Sequence, residues 1–227
     1  MSHYSVAVFT SSKGATVEEL LAPYDENIRV PRYLYKTKTQ IIADERQDNR
    51  NADKTDEEIY QHELQYYDED MIDPDTGDVY STYNPDSKWD WWSVGGRFSA
   101  RLLSKSDHCL YDYLPVSDID FDTMRQNDLD DLTPYQEFIG GDHFFKKEYL
   151  LALYPNEETY TKKMTEFSTF AVLTPDGEWH EEGKMGWFGC SSETPEEDTA
   201  WRYSYYETFI EPALANGWEL TIVDCHI

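Results

Sequence analysis

Three tryptophans stand within four residues in the stretch Lys88-Trp89-Asp90-Trp91-Trp92, and Gly95-Gly96-Arg97-Phe98 follows two residues later. Indole rings offer wide flat faces, and an arginine offers a planar fork of donors that matches a carboxylate or a phosphate. Together Trp89, Trp91, Trp92 and Arg97 could wall a ligand pocket, with Lys88 and Asp90 on its rim. A nucleotide-like ligand would stack on the rings while Arg97 held its phosphate. The same residues could instead make an aromatic mini-core under a long loop, with Arg97 paired to one of many carboxylates. Asn84-Pro85 favours a turn ahead of the stretch, and Gly95-Gly96 permits close backbone approach. No Gly-x-x-x-x-Gly-Lys follows, so this is not a phosphate loop.

Nucleophilic chemistry would need a cysteine beside a base. Cys190 or Cys225 with His180 or His226 could supply one, which makes a cysteine hydrolase a third reading. His180 with Glu181 or Glu182 could form an acid–base pair. The plainer reading is a hairpin that packs Trp187 into the core, a buried cysteine and a terminal histidine. Asp224-Cys225-His226 is not a catalytic unit by itself, because neighbours on a strand point to opposite faces. A partner such as His108 or His180 would have to come from elsewhere. Spacing gives no support to a metal site built on Asp224, His226 and another histidine. Asp73-Pro-Asp-Thr-Gly77 puts its glycine too early for a calcium loop and reads as a turn. No residue is assigned a catalytic role, and no metal or cofactor is implied.

Net charge carries the strongest global signal. There are 46 acidic residues against 19 basic ones, a formal charge of −27. Such a surface repels nucleic acid and anionic membranes and favours a basic partner. The acids fall in runs. Asp56, Glu57, Glu58, Asp68, Glu69, Asp70, Asp73, Asp75 and Asp78 form the densest, and Asp118, Asp120 and Asp122 alternate as they would on one strand face. Arrayed on a rigid surface, these carboxylates could occupy a groove built for nucleic acid. Three widely spaced cysteines are no disulfide framework and fit a reducing compartment. The first residues lack a signal-peptide pattern, and no segment approaches the ~20 apolar residues of a membrane span.

The motif Asn84-Pro85-x-x-Lys88-Trp89-Asp90-Trp91-Trp92-x-x-Gly95-Gly96-Arg97-Phe98 resembles one of uncharacterised bacteriophage and prophage proteins. So do the opening Met1-Ser2-His3-Tyr4, the segment Leu21-Ala22-Pro23-Tyr24-Asp25-Glu26-Asn27, and Thr174-Pro-Asp-Gly-Glu-Trp179-His180. Gly186-Trp187-Phe188-Gly189 and the ending Asp224-Cys225-His226-Ile227 complete the likeness. A second aromatic after Gly-Gly-Arg is often Trp in that family and is Phe98 here. The resemblance implies a phage context, hence the cytoplasm of an infected bacterium, and no activity. With the charge it suggests an interaction protein that inhibits a basic, nucleic-acid-binding host protein of a defence system.

The elements that must position these residues follow from periodicity. Residues 3–9 and 218–225 read as strands, and 28–35 and 78–83 as extended segments. Thr16 with Glu19 and Thr55 with Glu58 are capping-box pairs that open helices, the second running to Tyr67. Helices are also expected at 37–50, 156–165 and 195–215. A strand–turn–strand is expected across Pro175-Asp-Gly177, a strand at 78–83 with 95–103 as its hairpin partner or an edge, and short strands and loops through the acidic 107–142. The fold expected is α+β: one domain over 1–227 whose mixed or antiparallel sheet contains both terminal strands, with helices packed on it, long acidic loops and an acidic insertion at 44–80.

Overall fold

A computed structural model of the chain describes residues 2–186 and 190–227. The expected packing of Trp187, and the resemblance at Met1 and Trp187 to Gly189, lie outside the described residues. The fold is α+β, and both terminal strands lie in one mixed sheet. The chain divides into two compact units, residues 1–25 with 88–227, and residues 26–87. The acidic segment 44–80 lies wholly inside the second.

In the first unit, β1 (His3–Thr10) and β10 (Glu219–His226) pair antiparallel along their whole length, His3 opposite His226 and Thr10 opposite Glu219. The parallel β8 (Ala171–Leu173) flanks β1, and β9 (Trp179–Glu181) closes a hairpin on it. On the other side β10 carries β4 (Trp91–Val94) and β7 (Tyr113–Pro115) end to end. Both faces are covered, which is why Val6, Ala7, Val8 and Phe9 run apolar without a break. Ala7, Phe9, Val172, Leu220 and Ile222 pack under Tyr205, Phe209, Ile210 and Ala213. Tyr4, Val6, Val8, Leu173, Val223 and Cys225 pack under Trp89, Leu20 and Leu21, the last two from α1 (Val17–Leu21).

The expected helix 195–215 is present as α8 (Pro195–Tyr205) and α9 (Glu211–Asn216), joined by a π turn at Tyr206–Ile210. Pro212 has no N–H to give the ladder, so the helix widens just before it. The acidic stretch 107–142 departs from its expected form. It has two short strands, β6 (Leu110–Tyr111) and β7, but also α4 (Phe121–Asp130) and α5 (Tyr135–Gly140). Asp118, Asp120 and Asp122 therefore do not share a strand face. Asp118 is in a 3-10 turn, Asp120 caps α4 by accepting from the Thr123 N–H, and Asp122 sits in the first helical turn. A helix capped by aspartate competes well with an extended run of acids. At 95–103 the strand is reduced to β5 (Leu102–Leu103), because residues 96–98 form a 3-10 turn, and it pairs with β6 rather than as a hairpin with 79–83, whose partner is 29–36.

The second unit is a β-ribbon, β2 (Arg29–Lys36) with β3 (Val79–Tyr83), packed on α2 (Lys38–Glu45) and α3 (Asp56–Leu64). Its small core is Ile41, Tyr60 and Val79. The expected 37–50 helix stops at Glu45, since Asp48 turns back to accept from the Arg50 N–H and starts a separate turn. No helix among the described residues is long and apolar enough to cross a membrane.

Candidate functional site

Period-two geometry decides which side chains meet at the end of the sheet. Ala7, Phe9, Leu220 and Ile222 line one face, and the same face continues as Ser5, His3, Asp224 and His226. The apolar core thus ends in two histidines and an aspartate. The β4 register then puts Trp91 opposite His226 on that face, and Trp92 opposite Cys225 on the other.

His3 Nδ1 lies 2.9 Å from Asp224 Oδ1, and His226 Nδ1 lies 2.6 Å from Asp90 Oδ1. The two imidazoles touch edge to face, with centroids 4.9 Å apart. Trp91 stacks on His226 at 5.1 Å and meets His3 edge-on at 5.2 Å. The Asp224 carboxylate is buried, and its second oxygen accepts the Arg97 backbone N–H at 2.9 Å. The Asp90 N–H closes the pairing by donating to the His226 carbonyl. Each ring is thus oriented by a carboxylate on Nδ1, and neither Nε2 has a hydrogen-bond partner among the described residues. An imidazole held this way can take or give a proton at Nε2.

The paired glycines make this closure possible. Gly95 (φ +68°) and Gly96 (φ +51°) both adopt the left-handed region. A Cβ on Gly96 would lie 2.5 Å from the Asp224 carboxylate, and one on Gly95 2.6 Å from that of Asp112. Asp112 in turn holds the Ala100 N–H and the Ser99 hydroxyl, which fixes the turn after Arg97.

The six residues singled out from the tryptophan-rich stretch are separated by the fold. Trp89 is a core residue whose indole N–H donates to the Leu21 carbonyl, and Trp92 packs against that same core. Lys88 forms an ion pair with Glu181 at 2.8 Å. Of these six, only Trp91 and Asp90 touch the histidines; Arg97 reaches the cluster through its backbone N–H to Asp224, and its side chain is exposed, with no ion pair among the described residues. His180 packs on Phe209 and is not in this cluster. Cys225 is fully buried, and burial, followed by the Asp224 charge, pushes its thiol far above its ordinary range. That environment keeps it neutral and unreactive. Cys190 is exposed. No group of three or more His, Cys, Asp or Glu among the described residues is placed to hold a metal ion.

The twelve acids expected to form an interaction surface are divided between the two units. Several do local work. Asp56 pairs with Arg46 and Glu57 with Lys38; Glu58 closes a capping box, Asp78 receives the Lys38 N–H, and Asp73 turns its own loop. Asp68, Glu69, Asp70 and Asp75 are exposed and make no ion pair among the described residues.

His3 escaped the sequence reading because 223 positions separate it from His226. One signal pointed to it. If both terminal strands join one sheet as antiparallel neighbours, residues near the two ends become cross-strand partners. Compared with protein-family models, with curated proteins and with solved structures, the chain matches none.

Proposed function

We propose that the His3/His226 cluster is an acid–base site for a small anionic ester, with phosphodiester cleavage as the reaction it fits. The observation that carries this reading is two carboxylate-anchored imidazoles in contact beside an exposed tryptophan. One ring would accept the proton of the attacking hydroxyl or water, and the other would protonate the leaving oxygen. Asp224 and Asp90 hold the rings in the required orientation. The Arg97 guanidinium would balance the charge of the diester, and Trp91 would cover its apolar part.

The test is 4-nitrophenol release from bis(4-nitrophenyl) phosphate between pH 5 and 9. A bell-shaped rate profile is expected, with the rate falling by about 100-fold or more in His3→Gln and His226→Gln. Glutamine fills similar space and can still donate to the carboxylate, so folding is preserved. Arg97→Ala should raise KM more than it lowers kcat. No turnover above buffer, or full turnover in both glutamine variants, overturns the reading.

A second reading is favoured by a different observation in the 26–87 unit. There Tyr33, Tyr35, Tyr66, Tyr67 and Tyr83 border a cavity of about 460 Å³, with Asp68 at its side. Tyr35, Tyr66 and Tyr83 are exposed, and exposed tyrosines beside acids without an ion pair are the composition of an interaction hot spot for a basic partner. The protein would then be an acidic inhibitor that competes with nucleic acid for a host protein. A nucleic-acid-binding protein captured from bacterial lysate should be released by high salt and displaced by added DNA. Tyr66→Ala combined with charge reversal at Asp68, Glu69 and Asp70 should abolish capture. Capture indifferent to DNA or to these changes would dismiss this reading.

A further inference from the structure

The most informative exception to the overall charge is a cleft in the first unit between α4, α7 (Glu157–Thr165) and α8. Acids outnumber bases 46 to 19 in the chain, whereas in the lining of this cavity of about 440 Å³ Lys105, Arg125, Lys162 and Arg202 equal the acids Asp120, Asp122, Glu166 and Glu207 in number. Arg101 lines the adjoining recess, which shares Arg125 and Arg202 with it. Arg101 and Arg125 are exposed and make no ion pair among the described residues. Arg125 thus faces the cleft and Arg101 the adjoining recess, where Asp128 is a counter-charge to it, and local positive charge of this kind attracts an anion even on an acidic protein.

Arg202 is held from behind. Its Nε donates to Asp198 Oδ1 at 2.7 Å, and one Nη donates to the Lys163 carbonyl and the Ser168 hydroxyl. Its other Nη has no partner among the described residues. Asp198 is fixed in turn by Lys163, whose ammonium is buried at 2.6 Å from it. The cation is therefore oriented before any ligand arrives, which lowers the cost of ordering it on binding.

Aromatic rings line the same cleft beside these cations. Phe121 meets Phe167 at 5.4 Å and Tyr206 edge-on at 6.1 Å, and Tyr203 lies under the Lys162 ammonium at 4.1 Å. The carboxylates of the cleft are partly engaged, Asp120 by the cap of α4 and Glu166 by Lys162. Asp122 and Glu207 stay exposed at the cavity. The volume suits a small molecule. Its lining matches a flat aromatic body joined to a phosphate, for which the rings and the arginine forks are each the fitting partner.

We propose that this cleft is a binding site for a ligand of the nucleoside monophosphate class, separate from the His3/His226 cluster. The test is calorimetric titration of the full chain with AMP, GMP, CMP and UMP, and separately with adenosine and inorganic phosphate. At least one monophosphate should bind, and adenosine and phosphate alone should bind at least about tenfold more weakly. The Arg101→Ala/Arg125→Ala double variant, altered only at exposed positions, should weaken binding by about tenfold or more, in line with the loss of a charge-assisted contact. Tyr206→Ala should weaken it severalfold, and His226→Gln should leave it unchanged. No binding of any monophosphate at millimolar concentration, or affinity untouched in the double arginine variant, would overturn the proposal. Loss of binding in His226→Gln alone would move the ligand to the histidine cluster.

Discussion

Gly96→Ala is expected to lower the unfolding temperature by roughly 10 °C and to disorder the histidine cluster. Its new Cβ would fall 2.5 Å from both Cβ and Oδ2 of Asp224 and 2.7 Å from the Ser93 hydroxyl. Asp224 cannot yield, because it is buried under His3 and the Arg97 N–H. The left-handed backbone adds about 1–2 kcal/mol for any residue with a Cβ, and forced overpacking adds about 1–3 kcal/mol. For a chain of this length each kcal/mol shifts the midpoint by about 2–4 °C. Gly217→Ala supplies the control. Gly217 also has positive φ, at +64°, but a Cβ there meets nothing within 4 Å. It should show only the conformational part of the loss. Calorimetry of both variants separates the two contributions, and equal shifts would refute the steric account of the Gly-Gly pair.

Asp198→Ala should be the most destabilising exchange in the buried ion network, by about 3–5 kcal/mol, because it leaves the Lys163 ammonium buried without its counter-charge. The Lys163 side chain is 1% exposed, and among the described residues its ammonium has only Asp198 and the Leu153 carbonyl as hydrogen-bond partners. The acidity of the network also sets a pH dependence. Burial, then its interaction with Asp198, raises Glu182 to about 8. Burial opposes ionisation of Asp198 too, but its interaction with Glu182 and its bonds to Lys163 and Arg202 outweigh it and hold Asp198 at about 2. Between the ordinary carboxyl pKa and about 8 the folded chain keeps a proton on Glu182 that the unfolded chain has lost. Stability from this group is therefore full at mildly acid pH and declines as pH rises toward 8. Asp198 acts in the opposite sense: its contribution is present above the ordinary aspartate range and is lost as pH falls toward 2. Glu182→Gln should flatten the alkaline limb of a midpoint-against-pH curve and leave the acid limb in place. An unchanged alkaline limb would show that Glu182 is already ionised in the native state.

Local rules carried the secondary structure a long way. Thr16 with Glu19 and Thr55 with Glu58 form the capping boxes their spacing predicts, because a cap needs only four consecutive residues. Both terminal strands were legible as β-rich apolar runs, and they do lie in one sheet. Helix α4 was missed because aspartates dilute its apolar spacing. The signal was Asp120 as a cap, with Phe121 and Met124 a helical turn apart.

The candidate site was less legible. Tryptophans clustered in sequence are not clustered in space when a strand alternates their faces, so Trp91 reaches the histidines while Trp92 joins the core. The amino-acid sequence by itself determined the charge, the capped helix starts, the two terminal strands and the need for glycine before Arg97. Only the tertiary structure decided that His3 lies across from His226, that Asp224 and Asp90 orient them, and that Arg125 and Arg202 face one aromatic cleft with Arg101 in the recess beside it. Those pairings rest on strand register and helix packing between segments tens to hundreds of residues apart. Such contacts are set by the whole core that aligns the strands, and no local stretch of chain encodes them.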